Sequence, residues 1–411
     1  MSVWLAEAEG DPARRAAGIE RIWGQGGCVA LAGPGERQRL ADELAAAGAL
    51  DPGPAVLLGS GGSAGARRWC LQPLAHLQAS ARATGAWLEG LGLDPATCLH
   101  LNPLPLHHVS GLLPLVRCRI WGAELRWLAA EAMRDPRRLV AGCPLPSDRP
   151  VLLSLVPTQL LRLLEDPAGL DWLAACRLIW LGGAALPADL AARARAAGLP
   201  LAPCYGATET AAMVCVQSPQ RFLAGEPGCG TPLADVRLRL DPLSGAVEVA
   251  TPRLSPGCLR HGRFEPLLRT DDGWWRSGDA GRLDAAGLQI LGRLDGAIHS
   301  GGETVFPEQL EARLLAGARE SGLPLATLLL LAEPDPVWGQ RLAALVRPQP
   351  GGDAEALIAA LSRQVGTWPP AERPRRWLAC PTLAATEAGK WRRGQWQEWL
   401  QGQQDTLAPG G

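Results

Sequence analysis

Hydrophobic positions along this chain fall into two rhythms. Ala55-Val-Leu-Leu58, Val151-Leu-Leu-Ser-Leu-Val156 and Leu178-Ile-Trp-Leu181 are short, nearly unbroken apolar runs bounded by Gly or Pro, and they predict buried strands. Residues 1–50 carry Ala/Leu spacing that predicts helix throughout, and residues 69–91 predict one long amphipathic helix. After Pro157 a helical pattern resumes with Thr158 as a candidate N-cap, and the glycine turn Gly182-Gly183 leads from strand into helix again. Strands alternating with helices predict an α/β architecture with largely parallel strands.

From about Cys229 to Arg293 the pattern becomes strict alternation. Val236-Arg-Leu-Arg-Leu and Ala246-Val-Glu-Val-Ala read as half-buried strands, and the turn Asp284-Ala-Ala-Gly287 between apolar runs reads as a hairpin, so this part is a β-rich subdomain. Beyond Asp295 the pattern is mixed, with a helix opening at Pro307, strands from about Ala326 and over residues 341–346, and a helix over 354–365. The tail, 401–411, reads as disordered.

Composition narrows the class. A chain of 411 residues suggests two to three domains, and 47% hydrophobic residues suffice for sizeable cores. A formal net charge of −1 argues against a nucleic-acid or membrane surface. The 11 cysteines are scattered with no Cys-x-x-Cys pair and no zinc spacing, which predicts reduced, structural thiols. The first twenty residues lack the basic start and apolar stretch of a signal peptide, and no apolar run reaches membrane-spanning length; a soluble, cytoplasmic protein is expected. Arg stands almost everywhere a basic residue does. Lys390 is the single lysine and Tyr205 the single tyrosine, so where these two fall carries information.

Several stretches have the makings of a site. Gly59-Ser-Gly-Gly-Ser-Ala-Gly65-Ala-Arg-Arg68 is a loop whose backbone N–H groups, hydroxyls and basic end suit phosphates, although it lacks the Walker A spacing; a flexible surface turn is the alternative. His107-His108 before Ser110-Gly111 reads either as pocket-lining or as a solvated pair, and Arg162 either as pocket-facing or as solvent-facing. In Cys204-Tyr-Gly-Ala-Thr-Glu-Thr210 a Tyr ring can stack on a base, Thr208 can bond phosphate and Glu209 can hold Mg²⁺. Ser277-Gly-Asp279, Gly292-Arg-Leu-Asp295 and Gly301-Gly302 place fixed charges beside flexible glycines, which suits a joint that binds something polyhydroxylated and then moves; a hairpin with exposed charges is the plainer reading.

Taken together and in this order, these motifs resemble the acyl-adenylate-forming superfamily of acyl-CoA synthetases, luciferase and peptide-synthetase adenylation domains. SGGSAGARR resembles its phosphate loop, LGGAALP its adenine-side turn, CYGATE its aromatic-Gly-x-Thr-Glu motif and SGDAG its ribose motif. GRLD resembles its hinge, SGGE the turn after the hinge and TEAGK its catalytic-lysine loop. The resemblance covers about residues 50–400, and the single lysine and single tyrosine both fall inside it. Within the superfamily PLHHVSGL, VPTQLLRLL and LGGAALP look most like the o-succinylbenzoate–CoA ligase family. One departure lies in the phosphate loop, where Ala64 and Arg67-Arg68 replace the usual Thr-rich, Pro-x-Lys ending; Arg68 keeps the charge with fork geometry.

The resemblance implies a large N-terminal α/β domain with a β-rich subdomain (1–294) and a small, mobile α+β C-terminal domain (295–411). It implies ATP, Mg²⁺ and coenzyme A as reactants alongside a small carboxylic acid, with no nucleic-acid or membrane partner and a homo-oligomer left open. Lys390, Thr208 and Glu209 are the implied catalytic residues, with Glu209 on Mg²⁺. Gly62, Ser63, Gly65 and Arg68 would take phosphates, and Gly183, Ala184, Tyr205 and Gly206 the adenine side. Asp279 and Arg293 would take the ribose, with Asp295 as hinge and Gly301 and Gly302 lining the coenzyme A channel. For the acid, His108, Ser110, Gln159 and Arg162 are implied, Arg162 as donor to the benzoate carboxylate. Another acyl- or aryl-CoA ligase, an adenylation enzyme loading a carrier-protein thiol, and a non-catalytic nucleotide binder are the alternatives.

Overall fold

The computed structural model of the chain describes residues 3–6, 10–48, 50, 52–60, 67–129, 131–385 and 391–405. The chain divides into two compact units, residues 1–186, 190–277 and 282–289 forming the first and residues 187–189, 278–281 and 290–411 the second.

The first unit holds two large sheets. One has seven strands in the order Thr231–Pro232, Ala212–Val216, Leu201–Ala207, Leu178–Leu181, Val151–Leu155, Leu99–Asn102 and Glu124–Trp127. The five strands from Leu201–Ala207 to Glu124–Trp127 run parallel, as the helix-strand alternation predicts. Their middle members are buried along their whole length, which is why they read as unbroken apolar runs rather than alternating ones. Leu153, Ile179 and Leu201 pack with Leu160, Leu163 and Trp172 of the helices on one face.

The second sheet has six strands in the order Val3–Leu5, Cys28–Leu31, Ala55–Ser60, Arg68–Pro73, Gly257–Arg260 and Arg263–Pro266. It corrects two expectations. Residues 1–50 are not all helix, because Cys28-Val-Ala-Leu31 is a fully buried strand between the helices Pro12–Gly24 and Arg37–Ala47. The long helix expected over 69–91 is a strand, Arg68–Pro73, followed by a helix, Leu74–Gly90. Trp69, Cys70 and Leu71 pair antiparallel with Gly59, Leu58 and Leu57, and Pro73 ends the strand and caps the helix.

The alternating stretch forms a four-stranded sheet ordered Arg237–Leu240, Ala246–Ala250, Trp275–Asp284 and Gly287–Arg293, with the hairpin turn at residues 285–286 as the sequence predicts. Thr158 is not a cap. Val156 occupies that position before the helix Pro157–Leu164, and its N–H is met by the Gln159 side chain at 3.2 Å.

In the second unit the long hairpin of Leu325–Asp335 and Gly339–Pro348 is flanked by Arg376–Ala379, and the short hairpin Ile298–Ser300/Glu303–Val305 joins at its end. The helices Pro307–Glu320 and Ala354–Gln364 cover one face through Leu310, Leu314, Leu357 and Leu361. Residues 401–405, expected to be disordered, continue the helix Arg393–Asp405, held by Trp396 and Leu400 against Leu329 and Leu345. Among the described residues no helix is long and apolar enough to cross a membrane.

Candidate active site

In the first unit the candidate residues gather at the C-terminal ends of the parallel strands, where open α/β sheets bind ligands. The Leu201–Ala207 strand delivers Tyr205 and Gly206, then tightens into a single 3-10 turn, Thr208–Thr210. Thr210 fixes that turn, its hydroxyl accepting from Ala207 N–H at 3.0 Å and donating to the Ala212 carbonyl at 2.7 Å. Gly206 is obligatory here: a Cβ would stand 2.1 Å from the Ala212 carbonyl oxygen. From beneath, the fully buried Arg253 donates to the Thr210 and Met213 carbonyls at 2.8 and 2.9 Å and forks onto Asp235 at 2.7 and 3.1 Å.

Glu209 is 7% exposed, and its carboxylate lies 3.9 Å from the Arg68 guanidinium. The backbone around it is pinned by Gln72, which donates to the Thr208 carbonyl at 2.6 Å, and by Ser255 N–H on the Glu209 carbonyl at 2.8 Å. A carboxylate held this way, with one loosely paired cation beside it, suits Mg²⁺, which is commonly bound through one or two carboxylates and substrate phosphates rather than by an all-protein cage. Next to Arg68, Arg67 is committed elsewhere, to Glu36 at 3.0 Å. His107 packs by this pair; burial chiefly, then the Arg15 charge, lowers it to about 4.

Between the strand ends and the helix Val109–Trp121 lies a cavity of about 80 Å³, lined among others by Arg117, Ser154, Trp180, Gly183, Cys204 and Gly206. Eight consecutive residues of that helix, Gly111 to Cys118, are buried, so Arg117 enters an apolar surround. It is 5% exposed, its guanidinium carbon lies 4.8 Å over the Trp180 ring, and no carboxylate among the described residues pairs with it. Burial draws it down to about 10, so it stays charged at neutral pH. Trp180 Nε1 and Arg117 Nε are buried without hydrogen-bond partners among the described residues. Ser154 Oγ is 3.2 Å from Nε2 of the fully buried His100. An arginine buried with no acidic partner among the described residues suits an anion.

In the second unit Arg293 joins two predicted residues, reaching Asp279 at 3.5 Å and Asp295 at 3.0 and 3.1 Å. Gly301 and Gly302, at φ +60° and +87°, make the two-residue loop of a hairpin. Glu311, buried, takes one terminal nitrogen of Arg393 between its two carboxylate oxygens at 3.0 and 3.0 Å, while Oε1 also accepts from Leu330 N–H at 2.8 Å; Arg393 also donates to the Leu330 carbonyl at 2.8 Å. Burial raises Glu311 and the Arg393 charge opposes it. Arg393 stands three residues after Lys390 in the chain.

Residues 39–251 match the AMP-binding enzyme family. This chain is a member of that family.

The 2-succinylbenzoate–CoA ligase of Enterococcus faecalis is 29% identical over 351 residues, which cover 82% of this chain and 67% of that protein. The enzyme of the same name from Salmonella typhimurium is 32% identical over 311 residues, covering 73% and 60%. A probable 2-succinylbenzoate–CoA ligase of Mycobacterium tuberculosis is 30% identical over 299 residues, covering 72% and 73%. This AMP-binding enzyme thus aligns over about two thirds of the length of these curated relatives. Among solved structures, the o-succinylbenzoate CoA synthetase of Bacillus subtilis in complex with its acyl-adenylate intermediate superposes with a TM-score of 0.73 at 21% identity, over 96% of this chain and 87% of that one. An anthranilate CoA ligase in complex with anthranoyl-AMP gives 0.77 at 18%, over 97% and 87%. The AMP-binding enzyme has the acyl-adenylate-forming fold.

Of the residues expected from the sequence, Arg68, Gly183, Ala184, Tyr205, Gly206, Thr208 and Glu209 are described in the first unit and Asp279, Arg293, Asp295, Gly301 and Gly302 in the second. Gly62, Ser63, Gly65 and Lys390 lie outside the described residues. Four others do not line the cavity. His108 and Ser110 are exposed at the start of the helix, Gln159 is spent on capping, and Arg162 is exposed and donates to the Met133 carbonyl at 3.2 Å. Arg117 is not among the residues expected from the sequence, although it lines the cavity. The signal was present in Leu112-Leu-Pro-Leu-Val-Arg117-Cys118, where one charge interrupts an apolar run.

Proposed function

We propose that this AMP-binding enzyme is an AMP-forming acid–CoA ligase whose acid is o-succinylbenzoate. It converts o-succinylbenzoate, ATP and CoA into o-succinylbenzoyl-CoA, AMP and pyrophosphate, a cytoplasmic step of menaquinone or phylloquinone biosynthesis. The observation that carries the substrate is Arg117, a buried cation without an acidic partner on a cavity wall. A monocarboxylic acid consumes its only carboxylate in the reaction. A diacid has a second one, and Arg117 with Ser154 offers it donors in an apolar surround. The names of the relatives support the same acid.

The chemistry is a nucleophilic substitution between anions. The succinyl carboxylate attacks the α-phosphorus of ATP, the bond to pyrophosphate breaks, and an acyl-AMP forms. The CoA thiol then attacks the acyl carbon and AMP leaves. Positioning and charge stabilisation supply most of the acceleration. Arg68 and Thr208 orient phosphates, Tyr205 and Gly183 border the adenine, and Asp279 accepts from the ribose diol with Arg293 beside it. Glu209 would hold Mg²⁺, which supplies charge neutralisation when bound. Lys390 bridges carboxylate and α-phosphate in the first half-reaction. Rotation of the small domain about Asp295 then removes it, and the Gly301-Gly302 turn leaves room for the pantetheine chain.

The test is pyrophosphate release with ATP, Mg²⁺ and o-succinylbenzoate, with and without CoA, against a panel of fatty and aryl monoacids. Selective turnover of the diacid with a CoA thioester detected by mass spectrometry is expected. Turnover of a monoacid alone would keep the ligase and discard the diacid.

A further inference from the structure

We propose that His100 is a positioning residue that sets substrate preference: as its Nε2–H tautomer it donates to Ser154 and so turns the Ser154 hydroxyl proton toward the Arg117 cavity. This rests on reading that cavity as the seat of the diacid's second carboxylate.

The ring of His100 is fully buried between two tryptophans. It stacks on Trp121 at 6.4 Å and 12° and tilts against Trp180 at 5.3 Å and 42°. Its strand, Leu99–Asn102, lies in parallel register with Val151–Leu155, which places Nε2 3.2 Å from Ser154 Oγ. The other nitrogen, Nδ1, is buried with no partner among the described residues. Full burial, reinforced by the Arg117 charge, holds the imidazole neutral by lowering its proton affinity well below the ordinary value. One ring nitrogen therefore carries a proton and the other does not.

The two neutral forms have opposite consequences. With the proton on Nδ1, an N–H is orphaned in an apolar wall, and Nε2 takes the hydroxyl proton of Ser154. The cavity would then face lone pairs of Ser154 beside an incoming carboxylate, a repulsive arrangement. With the proton on Nε2, the bare atom is an acceptor, and orphaned acceptors are tolerated more often than orphaned N–H groups. Ser154 Oγ accepts from Nε2–H, and its own proton is left for the ligand. Arg117 and Ser154 then both donate, and an anion meets no acceptor between them.

The quantity that reads this is discrimination: kcat/KM for o-succinylbenzoate divided by kcat/KM for 4-oxo-4-phenylbutanoate, the same acid without the ring carboxylate. Ser154→Ala and His100→Leu are each expected to lower the ratio about tenfold, the worth of one hydrogen bond to a charged group. Because both remove the same proton donation, the double variant falls no further than either single one. His100→Gln, which keeps an N–H near Nε2, recovers part of the ratio. A merely structural role would lower both rates and leave the ratio alone. Nitrogen-15 NMR of the histidine-labelled enzyme, with His100 among its six histidines assigned by difference from His100→Gln, reads the tautomer with no substrate present. A proton on Nδ1, or a ratio within twofold of wild type in both Ser154→Ala and His100→Leu, overturns the proposal. A wild type that ignores the diacid sinks the functional reading instead, and the NMR still decides the tautomer.

Discussion

The Arg117 guanidinium sits over the Trp180 ring at 4.8 Å, while no carboxylate among the described residues pairs with it. The molecule thus keeps a charge where it harms stability. Replacing a buried charge by an apolar side chain of similar volume is commonly neutral or stabilising by about 1 kcal/mol or more. Arg117→Met is therefore expected to melt at or above the wild-type temperature while losing about 100-fold in kcat/KM for the diacid, the scale of one desolvated charge pair. Thermal melts and steady-state kinetics on the same preparation check both. A variant that melts lower and keeps its kcat/KM would assign Arg117 to packing.

Lys390→Ala is expected to lose acyl-AMP formation by about 100-fold or more, as expected for removing a group that stabilises transition-state charge. It should still convert pre-formed acyl-AMP and CoA to thioester at near the wild-type rate. Half-reaction assays separate the two, and equal losses would contradict the bridging role.

Glu311 and Arg393 form a buried pair that ties the helix Pro307–Glu320 and strand Leu325–Asp335 to the start of the final helix. Removing one partner strands the other charge, so Arg393→Ala should lower the stability of the second unit by about 3 kcal/mol. Because Arg393 follows Lys390 by three residues, adenylation should fall more than thioester formation in this variant. Denaturant titration and the half-reaction assays report on the two effects.

His107 carries a lowered pKa, about 4 against an ordinary value of 6.5, so the unfolded chain binds its proton more readily than the folded one. Its contribution to stability is fully present above pH 6.5 and is lost as the pH falls toward 4. The difference in melting temperature between wild type and His107→Gln should shrink over that window and stay constant from pH 7 to 8. A constant difference down to pH 4 would show that the ring is solvated.

Much of the fold was legible because the central strands are buried on both faces and the β-rich strands on one. Val151–Leu155 and Leu178–Leu181 are short apolar runs, and Ala246–Ala250 alternates. Cys28–Leu31 was hidden by Ala and Leu, which suit a buried strand and a helix equally. Arg68–Pro73 was hidden because its apolar residues lead straight into a true helix. At the site, motif residues were visible by their order in the chain. Arg117 was not, since arginine is the basic residue everywhere here and only three-dimensional burial separates it from its solvated counterparts. Arg162 was expected at the acid from the family resemblance, its own spacing leaving both faces open; in the structure it is exposed and donates to the Met133 carbonyl.

The buried Arg253 has a practical consequence for dissecting the protein. It lies two residues beyond the end of the family match at 251, yet it satisfies the Thr210 and Met213 carbonyls under the turn that carries Glu209. The match also begins after the strands Val3–Leu5 and Cys28–Leu31, which pair with each other, the second of them also with Ala55–Ser60. A fragment cut to residues 39–251 would open a sheet edge at one end and leave two backbone acceptors orphaned at the other. The stretch most easily recognised in the chain is therefore not expected to fold on its own, and a working version of the first unit is expected to need Val3 at one end and residues beyond Arg253 at the other.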